Sequence, residues 1–174
     1  LQHGYAHVNH AAPPDKKIEL GLQRPAMIVL GELGTGWMAL ERLFAAQALP
    51  VMVPPWNRIA EILVPTLPEI GYRGLSTFGP RKRAQPVRGF RQVNTHVDLI
   101  DWKAGGGFVG EEAALAVLVE ALGRSRSGDG EPIGLLSHHL AMDGGAWDFL
   151  RSVLEATKTT QGLCVRAARE LFAS

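Results

Sequence analysis

Two histidines near the start of the chain have the spacing of a metal site. His3 and His7 are four residues apart, and on a helical turn this spacing places both imidazoles on one face, close enough to share a cation. Neutral imidazole is a favoured zinc ligand, and a catalytic zinc site takes three protein ligands and a water. The pair therefore predicts two-thirds of a site. The alternative is a solvated polar N-terminus, or the remnant of an expression tag, that binds no metal.

Three further groups of polar and aromatic residues are predicted to lie in loops or at strand ends. They are Pro54-Pro55-Trp56, then Asp98 with Asp101 and Trp102, and lastly His138, which follows an apolar run. Metal-assisted hydrolysis of an amide needs such parts, because the ion activates a water, a carboxylate takes its proton and an acid protonates the departing nitrogen. An imidazole can be that acid when a carboxylate partner fixes its tautomer.

Each of these groups also has a purely structural interpretation. Trp56 and Trp102 could be core aromatics rather than pocket walls, and the two aspartates could cap local backbone amides. Asn9 and His10 are expected to hold the N-terminal loop rather than to bind metal. For His96 the sequence leaves open which face of its strand it occupies.

Apolar strands alternate with helices along the predicted chain. Apolar residues at three- and four-residue steps predict five helices, over 24–47, 58–67, 110–124, 145–156 and 163–173. Short apolar or β-like runs predict four strands, over 50–53, 72–78, 93–102 and 133–136. The predicted apolar faces are Met27, Leu30, Leu33, Trp37, Leu40, Leu43 and Phe44 in the first helix, Leu115, Leu118, Val119 and Leu122 in the third, and Trp147, Leu150, Val153 and Leu154 in the fourth. Three glycines weaken the first helix in its middle and could divide it. The alternation predicts an α/β fold, in which the C-terminal ends of parallel strands meet at one site.

Composition limits the classes of function that the chain is expected to have. The 174 residues suffice for one domain, 1–174. A net charge of +1 argues against a nucleic-acid partner, and the run of basic residues from Arg81 to Arg91 is expected to be a solvated loop, with an anionic ligand as the minority alternative. Cys164 is the single cysteine, so no internal disulfide is expected. Because no membrane span or signal peptide is visible, we expect a cytoplasmic protein.

Taken in order, these residues resemble the motifs of the polysaccharide deacetylases, the NodB-type carbohydrate esterases. The segment His3-Gly4-Tyr5-Ala6-His7 is similar to their second motif, and Val53-Pro54-Pro55-Trp56 to their third. Asp98-Leu99-Ile100-Asp101-Trp102 resembles the fourth motif, and Leu135-Leu136-Ser137-His138 the fifth. One motif alone is weakly specific, but four in the family's order are fairly specific, and the resemblance spans nearly the whole chain.

The resemblance implies a distorted (β/α) barrel of fewer than eight strands, of which this chain would be the C-terminal portion. It also implies a metal-dependent hydrolase of non-peptide C–N bonds that removes acetyl groups from N-acetylated saccharides. The residues carried over are His3 and His7 as ligands of a divalent metal, with zinc expected, His138 as general acid oriented by Asp101, and Trp56, Trp102, Leu136 and Pro55 as the walls of the acetyl pocket.

Three departures from the family's pattern favour an alternative function. The first motif, an aspartate pair that supplies the base and the third metal ligand, has no counterpart, and since no strand precedes Leu1 we expect it upstream of residue 1. Val53 stands where the family places an arginine, and Gly4 where it places a serine or threonine whose hydroxyl helps to hold the loop. The alternative is a non-catalytic saccharide-binding or scaffolding domain. The sequence indicates no oligomeric state.

Overall fold

The structure, a computed structural model, describes residues 1–172. Within the range that the sequence predicted to be one domain, these residues form two compact units. Of the described residues, unit 1 comprises Leu1–Asn94 and Phe172, and unit 2 comprises Thr95–Leu171. The ladders between the named strands of each unit are all parallel. The distorted barrel stays a prediction.

Unit 1 is built on a three-stranded parallel sheet in the order β1-β2-β3. The strands are β1 (Val51–Met52), β2 (Gly74–Leu75) and β3 (Arg91–Gln92). The predicted strands at 50–53 and 72–78 are confirmed in shorter form. The third was not predicted, because both residues are polar: Arg91 ends the predicted loop 79–91, and Gln92 lies before the strand predicted from residue 93.

The connection between β1 and β2 is a 3-10 helix rather than the predicted α-helix. It runs over Glu61–Ile70 and contains Pro65 and Pro68. Each proline lacks a backbone N–H and crowds the preceding turn, so a regular α-helix is excluded there. The segment ends at Gly71, whose φ of +105° lies in the left-handed region that suits glycine.

Helix α1 (Ala26–Phe44) contacts the 3-10 helix Glu61–Ile70 and shares one hydrophobic core with residues of the sheet. It is continuous, so its glycines do not divide it. Its buried residues are Val29, Leu33 and Trp37, a ridge with four-residue spacing. The predicted apolar face was too wide: Met27 is 85% exposed, and Leu43 and Phe44 are also exposed. Apolar residues on nearly every side of this helix blur the periodicity, and its packing partners alone select the buried ridge.

The N-terminal segment is anchored to the core of unit 1 through Gln2. The Tyr72 hydroxyl, whose pKa is raised by burial, donates to Gln2 Oε1 at 2.6 Å. The side-chain nitrogen Nε2 of Gln2 donates to the carbonyl oxygens of Gly4 and Leu33 at 3.1 and 3.3 Å. A Cβ at Gly36 would overlap this amide nitrogen, so the helix approaches Gln2 only because residue 36 is glycine.

Unit 2 contains a two-stranded parallel sheet of β4 (Val97–Asp98) and β5 (Leu135–Leu136), paired Val97 to Leu135 and Asp98 to Leu136. The strand predicted over 93–102 is shortened to its centre, because the chain turns at Asp101. Helix α4 (Ala168–Leu171) is all that forms of the helix predicted over 163–173, whose last residue lies outside the described residues.

Helix α2 (Glu111–Ser127) packs through small residues. Ala114 and Ala121 are buried and Leu118 is partly buried beside them, whereas Leu115 and Val119 are exposed. The predicted face was therefore wrong by about one residue. A seam of alanines allows close approach of neighbouring elements, and large apolar residues beside that seam remain in solvent.

Helix α3 (Gly144–Thr159) completes unit 2 and buries Ala146 and Phe149. Trp147 and Leu154, predicted to be buried, are exposed, so this face also differs from the prediction by one position. Asp143 caps its N-terminus by accepting from the Ala146 N–H at 3.0 Å. None of the helices formed by residues 1–172 is both long and apolar enough to cross a membrane.

Candidate metal and acid–base sites

The first cluster of candidate residues, in unit 1, follows the C-terminal end of β1. Gln2 forms a parallel bridge with Met52, in which Gln2 N–H donates to Val51 O and Val53 N–H donates to Gln2 O. This bridge extends the sheet by one residue and brings His3 beside Val53. The two segments that resemble the second and third motifs are thereby held together by backbone hydrogen bonds.

The imidazole of His3 is oriented by a backbone carbonyl. Its Nδ1 lies 2.9 Å from Val53 O. A carbonyl oxygen only accepts, so Nδ1 carries the proton and the Nε2 lone pair is left for a ligand. Such a second partner is the usual way in which a metal-binding imidazole is held in one tautomer.

The ring of His7 lies between the rings of His3 and Trp56, although the segment is not helical. The centroids of the two imidazoles are 5.1 Å apart, and the Trp56 ring is 4.6 Å from that of His7. The helical turn expected from the four-residue spacing was wrong, because Gly4 and His7 have positive φ values of 67° and 54° and coil the loop tightly. Trp56 also has a positive φ, and such strain is typical of functional loops.

A buried carboxylate holds this loop, and the sequence did not reveal its role. Glu19 is only 1% exposed, and its oxygens accept from the backbone N–H groups of Tyr5, Ala6 and His7 at 3.0, 2.7 and 3.2 Å. Buried charge is stable only when it is hydrogen-bonded. The available signal was its place between Ile18 and Leu20, since a carboxylate flanked by apolar residues needs internal partners.

The glycine at position 4 is required by this arrangement. A Cβ there would overlap Glu19 Oε2 and would lie 2.6 Å from Cγ of Pro55, which is buried against it. Glu19 and Gly4 thus fit together, and the loop is held by the buried carboxylate without a hydroxyl at position 4.

The separation of the two imidazole rings matches that of two ligands on one metal ion. Two imidazoles on a tetrahedral zinc, with Zn–N bonds of about 2.1 Å, place their ring centroids about 5 Å apart, and the observed separation is 5.1 Å. Both side chains are exposed, and His7 has no hydrogen bond from its ring among the described residues. Within residues 1–172 no group of three or more His, Cys, Asp or Glu could hold a metal ion.

Neighbouring loop residues have structural roles. Asn9 Oδ1 accepts from the N–H groups of Ala11 and Ile18, each at 3.0 Å, and His10 N–H donates to Ile18 O. The prediction that Asn9 holds the loop is confirmed.

The second cluster, in unit 2, lies at the C-terminal ends of β4 and β5. His138 follows β5 by two residues, and its Nε2 is 3.1 Å from Oδ1 of Asp98, the last residue of β4. The Trp102 indole N–H donates to the other oxygen of Asp98 at 3.0 Å, and the Trp102 and His138 rings meet edge to face at 4.9 Å. One carboxylate thus fixes an imidazole and an indole. Trp102 is 56% exposed and is not a core residue.

The carboxylate partner of His138 differs from the one that the resemblance implied. Asp101 accepts from the N–H groups of Lys103 and Ala104, each at 3.0 Å, and shapes the turn after β4. No hydrogen bond within the described chain joins Asp101 to His138. The structure pairs His138 with Asp98 instead, because the parallel register places Asp98 opposite Leu136 and brings His138 within its reach.

His96 belongs to neither cluster, because it is buried on the inner side of unit 2. Its Nδ1 accepts from the Gly134 N–H at 3.3 Å, and its Nε2 lies 3.4 Å from Glu131 Oε2. Glu131 is itself buried. The bond from Gly134 braces the segment that leads into β5, and the burial of His96 places it on the inner face of its predicted strand, which answers the question left open by the sequence.

Comparison of the chain with protein-family models, with curated proteins and with solved structures finds no match. The resemblance to the polysaccharide deacetylases therefore depends on the four sequence motifs alone.

Proposed function

We propose that this chain belongs to a metal-dependent hydrolase that removes acetyl groups from N-acetylated saccharides. The observation that carries the proposal is the pair formed by His3 and His7, whose rings are 5.1 Å apart and of which His3 is held by Val53 O with Nε2 free. In an otherwise ordinary surface loop, nothing requires two exposed imidazoles to meet in this way.

His3 and His7 would hold a divalent ion, zinc by preference for imidazole ligands. A bound ion supplies polarisation of the acetyl carbonyl and lowers the pKa of its water. The proposal takes the third protein ligand from outside the described residues. Glu19, by fixing the backbone of Tyr5, Ala6 and His7, keeps the loop in the shape in which the two imidazoles meet.

His138 would serve as the general acid. With Nε2 facing Asp98, its Nδ1 is the nitrogen that can carry and release a proton to the departing amine. Asp98 fixes the ring orientation, as the carboxylate does in hydrolase triads. Trp102 packs on the same imidazole, so it limits the ring's rotation and excludes water from one of its sides.

The acetyl pocket remains a proposal for its four implied residues. Trp56 presents its ring beside His7, and Pro55 closes the space under Gly4. In unit 2, Leu136 lies next to Asp98 in the strand ladder, and Trp102 is exposed beside His138. Within each unit these apolar residues lie beside a proposed reacting group, and a small acyl group is bound best by apolar surfaces.

The test is acetate release from N-acetylated chito-oligomers by the full natural protein with zinc or cobalt. Replacing His138 by Ala should lower the rate by about 10²- to 10⁴-fold, the usual contribution of a general acid. His139→Ala is the matched control, because this neighbouring imidazole is exposed and should leave the rate unchanged. No acetate release with either metal, or release that His138→Ala does not slow, would refute the proposal.

A second candidate is a saccharide-binding domain without catalysis. It is favoured by Val53, whose side chain cannot supply the charge of the arginine that the family places there. Metal analysis and calorimetric glycan binding on the same full protein separate the two candidates. Glycan binding by metal-free protein, with no acetate release when zinc is added, would favour the binding domain.

A further inference from the structure

A large cleft in unit 1 lies at the C-terminal ends of all three strands of its sheet. Its volume is about 700 Å³. Asn57 reaches it from the turn after β1, Thr77 and Phe78 from the residues after β2, and Asn94 from those after β3. In parallel α/β folds this edge of the sheet is where ligands bind. None of the residues of the four motifs lines this cleft.

The charge of the cleft is positive. Arg58, Lys82 and Arg83 line it, and Glu61 is the one carboxylate among its lining residues. Lys82 is engaged by Glu61, whose pKa is lowered by that hydrogen bond and by the ammonium charge. The two guanidinium groups are therefore the uncompensated charges of the cleft.

Both guanidinium groups have N–H donors free to bind a ligand. Arg58 donates one N–H to Lys17 O at 2.9 Å, which fixes its direction and leaves other N–H groups for a ligand. Arg83 makes no hydrogen bond or ion pair within the described part of the chain. Guanidinium groups bind carboxylate and phosphate oxygens in pairs, and such charge-assisted bonds are the strong ones.

The remaining lining suits the body of a sugar. Phe78 presents a ring that is 46% exposed, a flat apolar surface on which a saccharide ring can stack. The side-chain amide of Asn57 makes no hydrogen bond to any described residue, and its backbone is held with a φ of +58°. A free amide offers a donor and an acceptor, which is what a hydroxyl-rich ligand requires.

The cleft is preorganised by a buried amide. Asn94 is 3% exposed, and its Oδ1 accepts from the Thr77 N–H, the Thr77 hydroxyl and Gln92 Nε2, while its Nδ2 donates to Gly79 O. This network ties the end of β3 to the segment after β2. A ligand therefore meets a formed surface and does not have to order these loops.

The cleft also adjoins the proposed metal ligands along the chain. Asn57 directly follows Trp56, whose ring packs on that of His7. A residue of the cleft and the ring that packs on His7 are thus consecutive in the chain. We propose that the cleft binds the carboxylate or phosphate of an anionic saccharide through Arg58 and Arg83, so that the substrate of the proposed hydrolase is an acidic N-acylated glycan. The saccharide part of this inference rests on the proposed function, whereas the anion site rests on the cleft alone.

The experiment uses calorimetry to measure how tightly three probes of equal length bind to the full natural protein. These are neutral chito-oligomer, an oligomer of alternating glucuronate and N-acetylglucosamine, and a phosphorylated chito-oligomer. We expect both anionic probes to bind more tightly than the neutral one, with affinity that falls as salt rises. Which anionic probe binds more tightly distinguishes a carboxylate ligand from a phosphate ligand.

Arg83→Ala should weaken binding of the better anionic probe by about tenfold to a hundredfold, the usual loss for a hydrogen bond to a charged group. The matched control is Arg88→Ala, because Arg88 is an exposed arginine of the same segment that does not line the cleft. Equal affinity for neutral and anionic probes, equal losses in the two variants, or tighter retention of single-stranded DNA than of either glycan would overturn the inference.

The inference and the proposed function can fail separately. Acetate release without preference for anionic glycans would overturn the acidic substrate and leave the hydrolase. Tight, Arg83-dependent binding of an anionic glycan without acetate release would leave the anion site and overturn the hydrolase.

Discussion

The carboxylate of Glu19 occupies the space into which a side chain at residue 4 would project. A Cβ on Gly4 would overlap Oε2 of Glu19, the oxygen that accepts from His7 N–H. Of the three residues between the two candidate metal ligands, residue 4 is therefore determined by a carboxylate that lies fifteen positions further along the chain. This relationship makes the loop 3–7 one structural unit with Glu19.

Replacing Gly4 by Ser or Ala should lower the free energy of unfolding by roughly 2–4 kcal/mol. The new side chain would meet both a positive φ, here 67°, and a filled space. Urea unfolding followed by circular dichroism measures the loss. The matched control is Gly31→Ala in α1, where a Cβ meets nothing within 4 Å and where alanine should stabilise by about 0.5–1 kcal/mol. A Gly4→Ser variant as stable as wild type would contradict the assignment.

Replacing Glu19 by Gln should loosen the histidine loop. The substitution removes the charge and places an N–H₂ group against backbone N–H donors, which should cost about 1–3 kcal/mol. Hydrogen exchange at the amides of Tyr5, Ala6 and His7 should accelerate, because these amides donate to Glu19. Glu69→Gln, at an exposed carboxylate, is the control and should leave these amides unchanged. Unaltered exchange in Glu19→Gln would show that other contacts hold the loop.

Much of the secondary structure was predictable, because it depends on local periodicity. The three long helices and strands β1, β2 and β5 follow from apolar spacing and from the glycines and prolines between them. Strand β3 was missed since Arg91 and Gln92 lack any apolar signal, and it exists only through its ladder with β2. The buried faces of α2 and α3 were predicted only in part: Leu118, Leu150 and Val153 pack against the core of unit 2 as expected. The sequence missed the buried alanines and Phe149, and the predicted Leu115, Val119, Trp147 and Leu154 are exposed.

The site was predictable in its residue types but not in its pairings. Asp98 and Asp101 are three residues apart and both follow apolar residues, so spacing alone cannot tell which one meets His138. The register of β4 on β5 makes that choice. In the same way, the contact between Glu19 and residues 5–7 depends on how the loop folds back and leaves no periodic signal in the sequence.

His3→Ala and His7→Ala should each weaken binding of cobalt or zinc by at least about tenfold to a hundredfold. Loss of a residue that only orients a metal ligand already weakens binding by that factor. Absorption of bound cobalt and calorimetry with zinc measure it. His10→Ala is the control, because its backbone holds the loop while its ring is given no role as a ligand. Acidification should release the ion, since protons compete for imidazole. Full retention of metal by the double His3 and His7 variant would place the ion elsewhere.

Asp98→Asn should disturb His138, whereas Asp101→Asn should not. Asn can no longer impose a proton on the facing imidazole nitrogen, so the Nε2–H form of His138 loses its preference. Nitrogen chemical shifts of the ring report this tautomer directly in the folded protein. In the acetate assay the Asp98 variant should be slower by up to about 10⁴-fold, the effect of the equivalent change in a catalytic triad. A stronger effect of Asp101→Asn on the ring would restore the assignment implied by the resemblance.

The cap of α3 should make the stability of unit 2 dependent on pH through Asp143. Its pKa is lowered by hydrogen bonds from the backbone N–H groups of Ala146 and then of Phe108. A carboxyl with a lowered pKa in the folded state stabilises the fold fully above its ordinary pKa, near 4, and that stabilisation is lost as the pH falls through the lowered value.

The difference in unfolding free energy between wild type and Asp143→Asn should therefore be largest near neutral pH and should shrink in acid. Urea unfolding of both proteins between about pH 3 and pH 7 measures it, with Asp15→Asn, at an exposed turn, as the control. A difference that grows as the pH falls would have the wrong sign for a cap that acts as a carboxylate.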